Sequence, residues 1–215
     1  MTTMTAKEFS SPLRLLAHLV SYIFHPLFIS TYVMGYLIFI HPYAFIDDTH
    51  KAHVLRFFNI VLCNALFPAF SVFLLWRLKF INSIMLRTVK ERILPYIIAM
   101  VFYWWTWRLS IYLGYAAFAV HFLLGSFLAI CGAFFCNIYF KISMHMVAMG
   151  GAVMFFFQMS FNDAYSSGLY LSLVLLIAGL VGTARLIISD HTRFQIWSGL
   201  FIGVLSQYIA WHWPF

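Results

Sequence analysis

The sequence predicts an all-α bundle of six to seven transmembrane helices, folded as a single domain over residues 1–215. Of these residues 64% are hydrophobic and only 9% are charged, and the mean hydropathy is +0.91. A soluble domain of this size cannot bury so much apolar surface. Several apolar runs reach the roughly 20 residues that cross a ~30 Å hydrocarbon core. They are too long for the ~10-residue alternating strands of a membrane barrel, so the backbone groups must be satisfied within helices.

The apolar runs, divided at their polar breaks, give seven predicted helices, or six if the region 93–140 is divided differently. Residues 1–13 are polar, and we expect this segment to be retained because the apolar run after it is longer than a signal-peptide core. Pro26 and Pro68 lie inside predicted helices and are expected to kink them. The predicted helices cover residues 14–40, 54–77, 93–108, 116–140, 143–161, 168–188 and 194–212.

The distribution of charge indicates the partners of the chain. The formal net charge is +7, but the basic residues are few and lie between the helices. This placement favours anionic lipid head groups or an anionic substrate and argues against nucleic acid. We expect an integral protein of a bacterial inner membrane that needs no cofactor, with its oligomeric state left open.

Helix parity assigns ten of the 13 Lys and Arg residues to one face, and the positive-inside rule would make that face cytoplasmic. Six of these cations belong to a candidate site. Without them the count is four against three, so the orientation stays open.

Parity also brings three polar segments to one membrane face, each at the mouth of a helix. The segments are RTVKERILPY (87–96), KISMHM (141–146) and ARLIISDHTRFQ (184–195). Their cations are Arg87, Lys90, Arg92, Lys141, Arg185 and Arg193. Guanidinium groups bind phosphate oxygens in pairs, and a helix N-terminus adds backbone N–H groups. The histidines His145 and His191 allow one imidazole to attack phosphorus and the other to protonate the leaving oxygen.

These segments resemble the type 2 phosphatidic acid phosphatase superfamily, which includes the vanadium haloperoxidases. That superfamily is marked by K-x6-R-P, then P-S-G-H, then S-R-x5-H-x3-D. Arg185 and His191 have the spacing of the third motif, and ISMH retains a serine and a histidine of the second as Ser143 and His145. The resemblance extends over a phosphatase-like core of about 85–212.

The resemblance implies a metal-independent phosphomonoesterase or pyrophosphatase that acts on a phosphorylated lipid in the bilayer. His191 would be the nucleophile that forms a phosphohistidine, and His145 would protonate the leaving oxygen. Gln195 occupies the place of the third-motif aspartate, where its amide oxygen can accept the N–H of the nucleophile without supplying a charge. The residues expected to hold the phosphate are Arg185, Lys90, Arg92, Arg87 and Ser143.

The first and second motifs depart from the pattern of the superfamily. Anchored on Pro95, the first motif places Arg87 at the lysine and Leu94 at the arginine, while Lys90 and Arg92 offer the same chemistry in a shifted register. ISMH lacks the proline and the glycine of the second motif. A second hypothesis is therefore a relative that binds lipid phosphates or a membrane partner without catalysis, and a third is a small transporter.

Two further patterns favour ordinary structural roles. His18 and His25 are seven residues apart and His121 starts another helix, but no second well-spaced pair supports haem or metal ligation. The adjacent glycines Gly150 and Gly151 predict close helix packing in preference to a phosphate loop.

Overall fold

The computed structural model describes residues 9–46, 48–86, 88–163, 165, 168–188 and 191–214. Within these residues the fold is all-α, as predicted. The helices are α1 (Ser11–Ile23), α2 (Pro26–Phe39), α3 (His50–Ile60), α4 (Phe67–Arg77), α5 (Ile93–Tyr112), α6 (Ala117–Tyr139), α7 (Met144–Asn162), α8 (Gly168–Ile187) and α9 (Arg193–Trp211). A π-helical turn (Val61–Leu66) joins α3 to α4, and a 3-10 turn (Lys90–Arg92) precedes α5.

Four helical segments of the described chain are long and apolar enough to cross a membrane. They are the continuous segment His50–Arg77 together with α6, α7 and α8. The bent pair α1 and α2 makes a fifth candidate if the two are counted as one span. Length and composition thus support an integral membrane protein.

The first predicted helix, 14–40, is broken in two. The axes of α1 and α2 differ by 57°, and the break falls at Phe24 and His25, directly before Pro26. Proline cannot donate the backbone N–H that would continue a helix but is well suited to start one. α1 then packs on α8, where Ala17 joins a buried cluster with Ala184 and Ile187. The expected kink at Pro26 is confirmed, and it places His25 at the N-terminus of α2.

Pro68 also disturbs its helix, although the irregularity lies in the preceding π-helical turn. A proline leaves the carbonyl four residues earlier without its usual partner, which here is Asn64. The buried Tyr103 hydroxyl of α5 donates to that carbonyl at 3.2 Å. The Thr106 hydroxyl donates to the Asn64 side-chain oxygen at 2.8 Å. The backbone carbonyl and the side-chain oxygen of Asn64 thus both bind α5 to this segment.

Glycines allow α7 and α9 to approach at backbone distance. A Cβ atom at Gly203 would collide with the Val147 carbonyl oxygen, and one at Gly150 would collide with the Leu200 carbonyl. At Gly199 a Cβ would lie 2.7 Å from the Ser143 carbonyl oxygen. The prediction of close helix packing at Gly150 is confirmed, and the contact fixes the start of α7 against the start of α9.

The helices alternate in direction, so the same ends recur on one side of the bundle. The starts of α2, α5, α7 and α9 and the ends of α1, α6 and α8 lie together. The opposite end holds the contact between His41 and Asp163, whose side chains approach to 2.7 Å. Four helix N-termini therefore direct the positive ends of their dipoles to one side.

Candidate active site

The three polar segments meet at the end of the bundle where those four helices start. Arg92 donates through Nη1 to the Ile142 carbonyl at 3.0 Å, which joins the first segment to the second. The Ser143 N–H donates to the Gln195 carbonyl at 3.4 Å, which joins the second to the third. The convergence expected from helix parity is confirmed.

Arg185 is the cation common to both predicted catalytic histidines. It lies on the last turn of α8 and is only 9% exposed. Its positive charge acts directly on His145 and on His191. Lys141 and Arg92 add positive charge close to His191. A buried cluster of this sign favours an anion as its ligand.

His191 is oriented by Gln195. Its Nδ1 lies 3.0 Å from Gln195 Oε1, and the same oxygen accepts the Thr192 backbone N–H at 3.2 Å. The Thr192 hydroxyl in turn accepts the Gln195 N–H, which completes a capping box at the start of α9. An amide oxygen only accepts, so His191 donates its Nδ1 proton and leaves Nε2 with a lone pair.

The charge state of His191 follows from its surroundings. Burial, and secondarily the charge of Arg185, lowers the pKa of His191 from 6.5 to about 4, although the bond to Gln195 acts in the opposite direction. The imidazole is therefore neutral near pH 7. A neutral ring with a bare Nε2 is the form required of a nucleophile.

His145 lies on the first turn of α7, and its ring is fixed by a carbonyl of α1. The Nε2–H donates to the Ser21 carbonyl oxygen at 3.0 Å. Nδ1 is consequently the nitrogen that can exchange a proton with a ligand. The His25 ring lies beside it, with centroids 5.5 Å apart.

Ser143 occupies the N-cap position of α7, as predicted, but its side chain makes no capping hydrogen bond. The residue is fully buried, and its hydroxyl has no partner among the described residues. A buried hydroxyl without a partner is costly. The Met146 N–H donates to the Ser143 carbonyl at 3.1 Å, so the N–H groups of Met144 and His145 are the two at the start of α7 that lack a backbone partner among the described residues. Hydroxyl and backbone donors are therefore available together beside the cluster.

The structure separates the candidate cations of the first motif. Arg92 is half-buried and joins the cluster, whereas Lys90 is exposed and no described contact links it to the histidines. Arg87 lies outside the described residues. Of the two residues in the shifted register of the first motif, Arg92 therefore lies in the cluster, whereas Lys90 is directed to solvent or lipid head groups.

His25 is a member of the cluster that we did not predict as a site residue. It faces the His145 ring, and the charge of Arg185 reaches it. The available signal was the His-Pro dipeptide, because proline favours the first position of a helix and so places the preceding histidine at a helix mouth. His121 lies at the opposite end, where its Nδ1 donates to the Ala210 carbonyl at 2.7 Å. Within the described ranges no group of three or more His, Cys, Asp or Glu side chains is arranged to hold a metal ion.

Comparisons with protein-family models, with curated proteins and with solved structures found no match to this chain.

Proposed function

We propose that the protein is a membrane-embedded lipid phosphate phosphatase that acts through a phosphohistidine on His191. One observation supports this most strongly. The buried His191 and the half-buried His145 share the buried cation Arg185, and the nearby Ser143 hydroxyl has no partner among the described residues. The negative charge and the acceptor oxygens of a phosphate monoester are complementary to this cation and to this hydroxyl.

The first step of the proposed reaction forms a nitrogen–phosphorus bond. Nε2 of His191 attacks phosphorus in line with the lipid oxygen, the bond from phosphorus to that oxygen breaks, and its electron pair leaves with the lipid. Nδ1 of His145 takes up a proton when the phosphate anion binds and donates it to the departing oxygen. The resulting phosphohistidine carries a positive ring, whose Nδ1–H remains bound to Gln195.

The second step returns the enzyme to its starting state. A water molecule gives a proton to His145 and attacks phosphorus, and the bond to Nε2 breaks to release inorganic phosphate. Arg185, Arg92 and the α7 N-terminus would hold the equatorial oxygens, where charge accumulates in the transition state. These groups are positioned before the substrate binds, because each is fixed to a helix end.

We further propose that α5 and α9 cross the membrane, which brings the bundle to the predicted seven crossings. They have 20 and 19 residues and so extend about 30 Å. They alternate in direction with α6 and α8, which are themselves candidate spans. In this arrangement the phosphate site lies at the head-group level of one leaflet, where a lipid reaches it laterally.

The test is phosphate release from purified protein in EDTA, with dodecyl phosphate and p-nitrophenyl phosphate as substrates. His191→Ala should abolish both activities. His145→Ala should lower the alkyl phosphate activity by about 10²–10⁴ and the nitrophenyl activity far less, because nitrophenolate leaves without a proton. Vanadate should inhibit by mimicking five-coordinate phosphorus. Activity that requires a divalent metal, or that survives in His191→Ala, would contradict the proposal.

The uncharged Gln195 favours a second candidate, a relative that binds lipid phosphates without hydrolysing them. Gln195→Glu distinguishes the two functions, since it preserves the capping geometry and supplies the missing charge. Binding of dodecyl phosphate without turnover in either form would support the binding role. Turnover in the wild type would exclude it.

A further inference from the structure

An apolar cavity of about 90 Å³ lies between α2, α5, α6 and α7. Its lining is almost wholly hydrocarbon, supplied by aliphatic and aromatic side chains of all four helices. Apolar cavities of this kind stay free of water and accept apolar ligands. The cavity therefore suits a hydrocarbon group and not a second polar substrate.

Three residues that line the cavity are close neighbours, along the chain, of residues of the phosphate site. Leu27 is two residues beyond His25, and Met144 lies between Ser143 and His145. Tyr96 also lines the cavity, one turn beyond Arg92. Each of these lining residues therefore lies within one helical turn of His25, His145 or Arg92.

The far end of the cavity reaches toward the middle of the bundle. Met144 and Gly151 both line it, and they are about 10 Å apart along α7 at 1.5 Å per residue. At the far end the Ser30 and Tyr103 hydroxyls approach to 3.3 Å, which links α2 to α5. Ser30 and Tyr103 both line the cavity, and we take its long direction to be parallel to α7.

We infer that this cavity binds one hydrocarbon chain of the lipid whose phosphate occupies the site formed by Arg185, His145 and His191. The inference rests on the proposed function, which supplies a lipid phosphate as the ligand. It adds a binding site for the hydrocarbon part of that lipid, which the polar residues do not contact. A chain attached to a phosphate at the cluster enters the cavity directly beside Met144. Its depth makes chain length a determinant of affinity, because each buried methylene group adds apolar area removed from water.

The variant that tests this is Gly151→Leu, which fills the cavity from α7. A Cβ atom at Gly151 meets only the Gly203 carbonyl, at 3.9 Å, and leucine is a better helix former than glycine, so the variant should fold. Gly179→Leu is the matched control, since Gly179 is exposed on α8 and a Cβ there meets nothing within 4 Å. Ala129→Leu, on α6, fills the same cavity from another wall.

The measurement is the Kd of dodecyl phosphate and of butyl phosphate by calorimetry in detergent, which requires no turnover. Gly151→Leu and Ala129→Leu should raise the Kd of dodecyl phosphate at least about tenfold and leave the Kd of butyl phosphate unchanged. Gly179→Leu should bind both ligands as the wild type does. Equal effects on both ligands, or none on dodecyl phosphate, would overturn the inference.

Phosphate release from the same samples separates the two proposals. Chain-selective binding without hydrolysis contradicts the phosphatase and supports the chain site. Hydrolysis with unaltered chain preference in both filled variants supports the phosphatase and contradicts the chain site.

Discussion

The side-chain oxygen of Gln195 lies 3.0 Å from Nδ1 of His191. It also accepts the Thr192 N–H at 3.2 Å, so two donors fix which end of the amide faces the imidazole. An amide of free orientation could present its NH₂ group and impose the opposite tautomer. In a serine protease triad, replacing the aspartate by asparagine imposes the wrong histidine tautomer in this way and lowers the rate about 10⁴-fold. Here the capping box prevents that error, so under the proposed function Gln195 differs from a carboxylate at this position mainly in its charge.

Restoring that charge should accelerate the reaction. Gln195→Glu keeps the chain length and the capping box and places a carboxylate against His191. The carboxylate stabilises the positive phosphohistidine, and one pKa unit of such stabilisation corresponds to about tenfold in rate. We therefore expect turnover of dodecyl phosphate to rise about tenfold, measured as initial rate of phosphate release.

Gln195→Met is the matched control for that substitution. It fills a similar volume without an acceptor, so the tautomer is no longer imposed and turnover should fall on the order of 10²–10⁴. Equal rates in the methionine variant and the wild type would show that Gln195 does not position His191.

Stability should depend on pH through His191. The pKa of His191 is lowered from 6.5 to about 4 in the folded protein, so between these values the unfolded chain binds a proton that the folded protein excludes. The stabilisation is complete above pH 6.5 and is lost as the pH falls toward 4. Thermal unfolding across this range should show a steeper fall in Tm for the wild type than for His191→Gln, which cannot titrate. Parallel curves would contradict the buried, neutral imidazole.

The two cations of the 3-10 turn should differ in their effect on anion binding. Arg92→Met removes a charge beside His191 and should weaken vanadate binding about tenfold or more, as expected for a charge-assisted hydrogen bond. Lys90→Met removes the same charge from an exposed position and should change the Kd by less than about twofold. Isothermal titration with vanadate measures both, and Arg92→Lys shows how much of the effect is charge. Equal losses of vanadate affinity at the two positions would contradict a specific role of Arg92 and indicate that the loop attracts anions only by its overall positive charge.

The adjacent glycines of α7 should respond oppositely to alanine. A Cβ at Gly150 collides with the Leu200 carbonyl, so Gly150→Ala should lower the free energy of unfolding by about 2 kcal/mol. At Gly151 the nearest atom to an added Cβ is 3.9 Å away, so Gly151→Ala should be neutral or stabilise by up to about 1 kcal/mol. Thermal unfolding of the two variants in one detergent makes the comparison. A loss of stability at Gly151 equal to that at Gly150 would contradict the close contact of α7 and α9.

Much of the architecture was predictable because hydrophobicity and helix period are local properties of the chain. The apolar runs predicted the helical segments, and Pro26 predicted the break at which α2 begins. Parity alone brought 87–96, 141–146 and 184–195 to one end of the bundle, because each crossing reverses the direction of the chain. The spacing of Arg185 and His191 then indicated the chemistry of that end.

The sequence by itself thus determined an all-α, membrane-directed chain with histidines and cations gathered at one set of helix mouths. Only the tertiary structure decided which of these side chains meet. The bend at Pro26 places His25 beside the other histidines, and the angle of that bend depends on how α1 and α2 pack. The 3-10 turn directs Arg92 into the cluster and leaves Lys90 exposed. The tertiary structure also decided the orientation of Gln195, since hydrogen bonds to two donors depend on distances that no spacing along the chain specifies.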